Sequence, residues 1–190
     1  MKDFLILGSF FLFVFTYLTG QNNQELLSSY EARIWEAEKN KRLLYRTASP
    51  AKLVEGEKYP MLVFFHGAGG RGNDNTSQLL DAGGLAAFEK QGLRSKRKSY
   101  VFAGQVPKGS RWVNVAWNLL GHTMPKVSDS MKMALDAIDA FVADYKNQVD
   151  PNRIYVMGLS MGGYGTWDAI QRRPGFFAAA VPICGGGDKS

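Results

Sequence analysis

The segment RIYVMGLSMGGYGTWDAI, Arg153 to Ile170, constrains this chain more than any other. Ile154 to Met157 are residues that favour a strand. They run into Gly158-Leu159-Ser160-Met161-Gly162, and a stretch of helical character follows. A strand that becomes a helix within five residues must bend sharply. Positions two before and two after the apex then lie too close to the turn to carry large side chains, which accounts for Gly158 and Gly162. Ser160, at the apex, is lifted above the end of its strand in a strained conformation, with the N-terminus of the helix aimed at it. The partial positive charge there favours the negative charge that grows during acyl transfer. The pattern predicts Ser160 as a nucleophile and the Met161 N–H as one donor to an oxyanion. G-x-S-x-G alone is a weak signal in a glycine-rich chain. The strand before it and the helix after it give it meaning.

The rest of the chain supplies a matching frame. YPMLVFFHG is a continuous apolar run ending in glycine, which is how a strand buried on both faces of a parallel sheet reads. SYVFAGQVP and FAAAVPICGG have the same character. In SDSMKMALDAIDAFVADYKNQ, residues Met131, Leu135, Ile138, Phe141, Val142 and Tyr145 fall on one helical stripe, and Ser128 or Asp129 stands where a cap belongs. SQLLDAGGLAAFEKQG has helical spacing broken at Gly83 and Gly84. EARIWEA and RLLYRTAS flank a charged EKNK turn and read as a hairpin. Strands alternating with helices imply βαβ units. The expected fold is therefore α/β: a mostly parallel sheet with helices on both faces and an N-terminal hairpin at one edge. The strands 61–65, 100–103, 154–157 and 178–183 should be parallel, with Ser160 at a C-terminal edge.

Composition narrows the partners. At 190 residues and 45% hydrophobic, the chain can build one core. The net charge of +6 is spread out, apart from Arg94, Lys96, Arg97 and Lys98. That run has no interleaved aromatics and reads as a solvated loop, so no nucleic-acid partner is expected. A single cysteine excludes an intrachain disulfide, and Cys184, within an apolar run, reads as a buried thiol. Asn73-Asp74-Asn75 lacks the carboxylates of a calcium loop and reads as a structured turn. At the N-terminus, Met1-Lys2-Asp3 precedes an uncharged apolar run from Phe4 to Leu18, followed by Thr19-Gly20-Gln21. This is the layout of a secretory signal, and the run is short of the roughly 20 residues of a membrane span. The expectation is a signal peptide over 1–20 cleaved near Gly20 or Gln21, a tether over 21–30 and the domain proper over 31–190. The mature protein would be secreted or periplasmic, without stable membrane insertion. An uncleaved anchor is the alternative.

A second oxyanion donor should come from the loop after an earlier strand. FFHGAGG is such a loop: His66-Gly67 closes the strand, and Ala68 or Gly69 offers an N–H. His66 invites assignment as the base, but in this type of loop the histidine braces the backbone.

HGAGGRGNDN, PKGSRWVNVAW, DPNRIYVMGLSMGGYGTWDAI and FAAAVPICGGGD, in this order, resemble the secreted carboxylesterase group of the α/β-hydrolases, which includes polyhydroxybutyrate depolymerase-like and prolyl-oligopeptidase-type esterases. The resemblance spans Glu31 to Asp188. It implies Ser160 as nucleophile and Ala68 and Met161 as oxyanion donors, with His66, Gly67, Gly158 and Gly162 supporting loop and elbow. It also implies hydrolysis of a small-molecule or polymer ester without metal or cofactor. The loop Arg111 to Pro125, with Trp112, Trp117 and His122, matches a segment at the mouth of the site, though plain packing serves equally for the tryptophans. One departure is large. The family order is nucleophile, acid, histidine, yet after Ser160 come only Asp168 and Asp188 and no histidine. The acid and histidine, with the last strands, are expected beyond Ser190. A serine peptidase and a catalytically inactive hydrolase-like binding protein are the alternatives.

Overall fold

The computed structural model describes residues 23–118 and 122–188. The expected signal peptide lies outside them. Within the expected tether, residues 23–28 are helical. Among the described residues no helix is long and apolar enough to cross a membrane. The sheet and its helices lie within the unit that begins at Glu31.

Six strands form one sheet in the order β1-β2-β4-β3-β5-β6. β1 (Glu31–Glu36) and β2 (Arg42–Ala48) are the expected antiparallel hairpin, joined through a tight turn at Glu38–Asn40. β2 also pairs antiparallel with β4 (Tyr100–Gln105). β3 (Tyr59–Phe65) lies parallel to β4 and to β5 (Val149–Leu159), and β5 lies parallel to β6 (Ala179–Ile183). The parallel core is thus as the apolar runs require. β4 is buried at every position, as expected of a strand covered on both faces.

The helices follow their capping chemistry. In α3 (Asp129–Asp144), the Ser128 side chain accepts from the Met131 N–H, while Met131, Leu135, Ile138 and Phe141 turn inward. The broken segment becomes α1 (Ser77–Leu80) and α2 (Gly84–Lys90). The break sits at Ala82 and Gly83, both at positive φ, and Gly84 opens the second helix rather than interrupting the first. α4 (Met161–Arg172) follows the serine turn. Asn73-Asp74-Asn75 is a structured turn: the Asp74 carboxylate accepts from the N–H groups of Thr76 and Ser77 and from Gln105.

Cys184 departs from expectation. Among the described residues it is exposed rather than buried: it follows β6, the last strand in the order, whose positions Ala179, Val181 and Ile183 are open to solvent.

Candidate active site

The register of β3 against β5 pairs Phe65 with Gly158, so the chain leaves both strands at one edge of the sheet, side by side. From β3 emerges the loop His66–Gly70 and from β5 the serine turn. Their closeness is evident at Gly67: a Cβ there would stand 3.2 Å from the Leu159 carbonyl oxygen and 3.7 Å from the Ser160 Cβ.

Ser160 has φ 54° and ψ −113°, a strained conformation for a residue with a side chain, and it is exposed. Its N–H donates to the Ile183 carbonyl at 2.8 Å, and its own carbonyl accepts from Gly163 and Tyr164, which locks the apex. The two glycines are required by contact. A Cβ on Gly158 would lie 2.1 Å from the Gly162 carbonyl oxygen, and one on Gly162 would lie 1.9 Å from that of Phe65. Thr166 adds a hydroxyl that donates to the Gly162 carbonyl at 2.9 Å.

Ala68 and Met161 each begin a helical turn, Ala68–Gly70 and Met161–Arg172. First-turn amides have no acceptor within their own helix and are free to serve a ligand. Met161 directly follows Ser160 in the chain, and Ala68 directly follows Gly67, the residue whose Cβ position lies 3.7 Å from the Ser160 Cβ.

His66 is fully buried. Its Nε2 accepts from the Val106 N–H at 3.0 Å, and its Nδ1 lies 2.5 Å from the Gly67 carbonyl, a pairing that assigns the proton to Nδ1. With both ring nitrogens engaged by backbone, His66 has no position free to take a proton from Ser160. Burial pushes its pKa down to about 4, against the Gly67 carbonyl and Asp81, which pull it up. In the unfolded chain it titrates near 6.5, so between those values the unfolded state binds more protons. Stability is thus fully present above about pH 6.5 and falls as pH drops toward about 4, by roughly 3 kcal/mol in all. His66→Gln should flatten the pH dependence of the denaturation midpoint across that window. An unchanged slope would show that His66 is accessible and protonates freely in the fold.

Trp112 departs from the expected place at the mouth. It is fully buried, in a slot between Gly104 of β4 and Gly165 of α4. Its indole N–H donates to the His66 carbonyl at 3.1 Å and its ring packs on Phe65. Trp112 therefore braces the loop from behind, because both glycines leave room for the ring and it finds its hydrogen-bond partner inside. Trp117 is exposed, and its carbonyl accepts from the Tyr164 hydroxyl at 3.4 Å.

His122 is half-buried and bridges Asp188 through backbone, with its ring 6.0 Å from that of Tyr164. Asp188 also accepts from the Met124 N–H. Asp168 is buried and held by Arg172 at 2.7 and 2.9 Å. Burial pushes its carboxyl up, against the Arg172 guanidinium and His122. No hydrogen bond joins the Ser160 hydroxyl to His66 or His122, and no cluster of three metal-ligating side chains occurs among the described residues.

Three neighbours of the site are not signalled by the motifs. The Asp81 carboxylate lies against Gly67 and Gly69, and nothing in its spacing points there. Arg71 donates to the Ala68 carbonyl at 3.0 Å; as the first long side chain after the glycine loop it was the one with a visible clue. Arg111 stacks on Trp117.

Strand order, parallel core and serine turn place the chain among the α/β-hydrolases. It belongs to the prolyl oligopeptidase family, whose sequence profile matches residues 89–188. Among solved structures it is similar to a thermostable esterase, at 35% identity and a TM-score of 0.76, over 86% of this chain and 43% of that one. An acylaminoacyl peptidase from Pyrococcus horikoshii (20% identity, TM-score 0.52, 80% of this chain and 23% of that one) shares the fold. So does an S-formylglutathione hydrolase from Staphylococcus aureus (17%, TM-score 0.56, 80% and 56%). The chain thus spans less than half the length of the thermostable esterase. No curated protein matches it. The family profile and the likeness to the esterase place the chain in a serine-hydrolase family of the esterase and peptidase type.

Proposed function

We propose that this chain carries the nucleophile and oxyanion half of a carboxylic-ester hydrolase. The observation that carries the reading is the strained, exposed Ser160 at the start of α4, beside the Gly67 turn that leads into Ala68. In the proposed reaction the Ser160 Oγ attacks the acyl carbon, and its proton passes to a general base. The carbonyl oxygen becomes an oxyanion that accepts from the N–H groups of Met161 and Ala68. Collapse expels the alcohol, and water then cleaves the acyl-serine ester through the same oxyanion site. Neither His66 nor His122 is the base, and the reading assigns that role to a histidine outside these 190 residues. Esters are favoured over amides by the likeness to the esterase, at 35% identity against 20% for the peptidase. Trp117 is exposed and His122 half-buried on the loop after β4, while Trp112 supports the His66–Gly70 loop.

The test needs no turnover. A fluorophosphonate at mildly alkaline pH should phosphonylate Ser160 ahead of every other serine, because only Ser160 has oxyanion donors beside it. Peptide mapping by mass spectrometry should find the label on Ser160, and Ser160→Ala should lose it. A label spread over several serines, or retained by the variant, refutes the assignment.

A further inference from the structure

We infer that the acyl site of this hydrolase selects substrates bearing an anionic group, a carboxylate a few bonds from the scissile carbonyl, through Arg71, Arg111 and the exposed face of Trp117. The inference rests on the proposed ester-hydrolase site and names the class of its substrate.

The three residues reach one place from two loops. Arg71 directly follows the Ala68–Gly70 turn and is tied to it through Nε, which donates to the Ala68 carbonyl. Arg111 and Trp117 come from the loop that follows β4. The Arg111 guanidinium carbon stands 4.6 Å from the Trp117 ring centroid, and that of Arg71 stands 6.0 Å from the same ring. The loop approaches the elbow helix at Tyr164, whose hydroxyl lies 3.4 Å from the Trp117 carbonyl. Tyr164 is four residues after Ser160, about 6 Å along the helix axis. The cluster is thus linked to the Ala68–Gly70 turn through Arg71 and approaches the first turn of the elbow helix at Tyr164.

Among the described residues its two guanidinium groups are not ion-paired. Arg71 uses one N–H on the Ala68 carbonyl and Arg111 uses one on the Val115 carbonyl. Each guanidinium has five donors. Neither makes an ion pair among the described residues: of the carboxylates nearby, Asp81 lies against Gly67 and Gly69, and Asp74, against Gly72, is taken up by Thr76, Ser77 and Gln105. Two like charges facing one ring repel, and an anion between them removes that repulsion while accepting their free N–H groups. Trp117, 39% exposed, is left as an apolar platform for the chain joining the carboxylate to the carbonyl. Packing alone would account for one stacked arginine. It does not account for a second guanidinium, from the oxyanion loop, turned to the same exposed ring.

The experiment measures binding, so it does not depend on Ser160 chemistry. N-phenylsuccinamate carries a carboxylate, and N-phenylbutanamide is its neutral counterpart with the same anilide. Titration calorimetry on the full 190-residue chain should give roughly tenfold tighter binding for the anionic compound. The preference should shrink between about 50 and about 500 mM salt, as expected for partly exposed charges. Arg111→Gln should remove most of it and Arg111→Lys should restore part of it. Arg71→Gln should act in the same direction, but Arg111 is the cleaner probe because it does not hold the Ala68 loop. Equal affinities, no binding of either compound, or a preference that survives Arg111→Gln overturns the proposal. A failed serine-labelling test with the anionic preference intact would instead overturn the nucleophile and leave a carboxylate-binding site.

Discussion

Replacing Gly162 by alanine is expected to prevent the chain from folding, or to destabilise it by roughly 3 kcal/mol or more. The added methyl would stand 1.9 Å from the Phe65 carbonyl oxygen and 2.8 Å from that of His66. Relief requires β3 or the elbow to move, and neither can do so cheaply. β3 is paired on both sides, to β4 and β5, and the loop after it is braced by the Trp112 indole on the His66 carbonyl. On the other side, the carbonyl of Gly162 already accepts from Thr166. Chemical denaturation read by tryptophan fluorescence checks this, with Glu55→Ala on an exposed loop as control. A Gly162→Ala chain that unfolds at the wild-type midpoint would mean that β3 and the elbow are not packed as described.

The second large effect concerns rate. As it stands, this polypeptide is expected to hydrolyse p-nitrophenyl acetate only about 10³- to 10⁴-fold faster than water does, the level left by an oxyanion site when a triad member is missing. A serine hydroxyl without a base in reach is a poor nucleophile. His66 is closed off by its two backbone partners, and His122 is turned toward Tyr164 and bridged to Asp188. His122→Ala should therefore leave this residual rate where it is. Fast turnover that disappears in His122→Ala would make His122 the base and the loop Arg111–Pro125 part of the catalytic machinery. Stopped-flow release of p-nitrophenolate distinguishes the two outcomes.

The division between sequence and structure follows the range over which each constraint acts. The elbow was legible because its cause is local: five residues must turn a strand into a helix, and the bulk forbidden at Gly158 and Gly162 is dictated by that turn. The hairpin of β1 and β2, the capping of α3 by Ser128, and the strand character of β3 and β4 were legible for the same reason. Each is written in adjacent residues as a turn, a cap or an unbroken apolar run. The bracing role of His66 follows from the type of loop that FFHGAGG forms. Only the folded chain shows its partners, since the N–H it receives belongs to Val106 and the indole on its carbonyl to Trp112.

What the tertiary structure decided is everything that depends on distant partners. Cys184 sits in a run apolar enough to be core, yet among the described residues no strand lies beyond β6 and the thiol is exposed. Trp112 and Trp117 are five residues apart in one loop, and composition does not separate them. The first fills a slot that exists only because Gly104 and Gly165 come face to face, and the second has no such slot. Arg71 and Arg111 are unremarkable cations in sequence, and they converge on one ring because β3 and β4 are parallel neighbours that release their loops at the same edge. Local sterics act between neighbours in the chain and can be read from its letters. Burial and charge are fixed by which segments the sheet order sets side by side, and that order is a property of the whole fold.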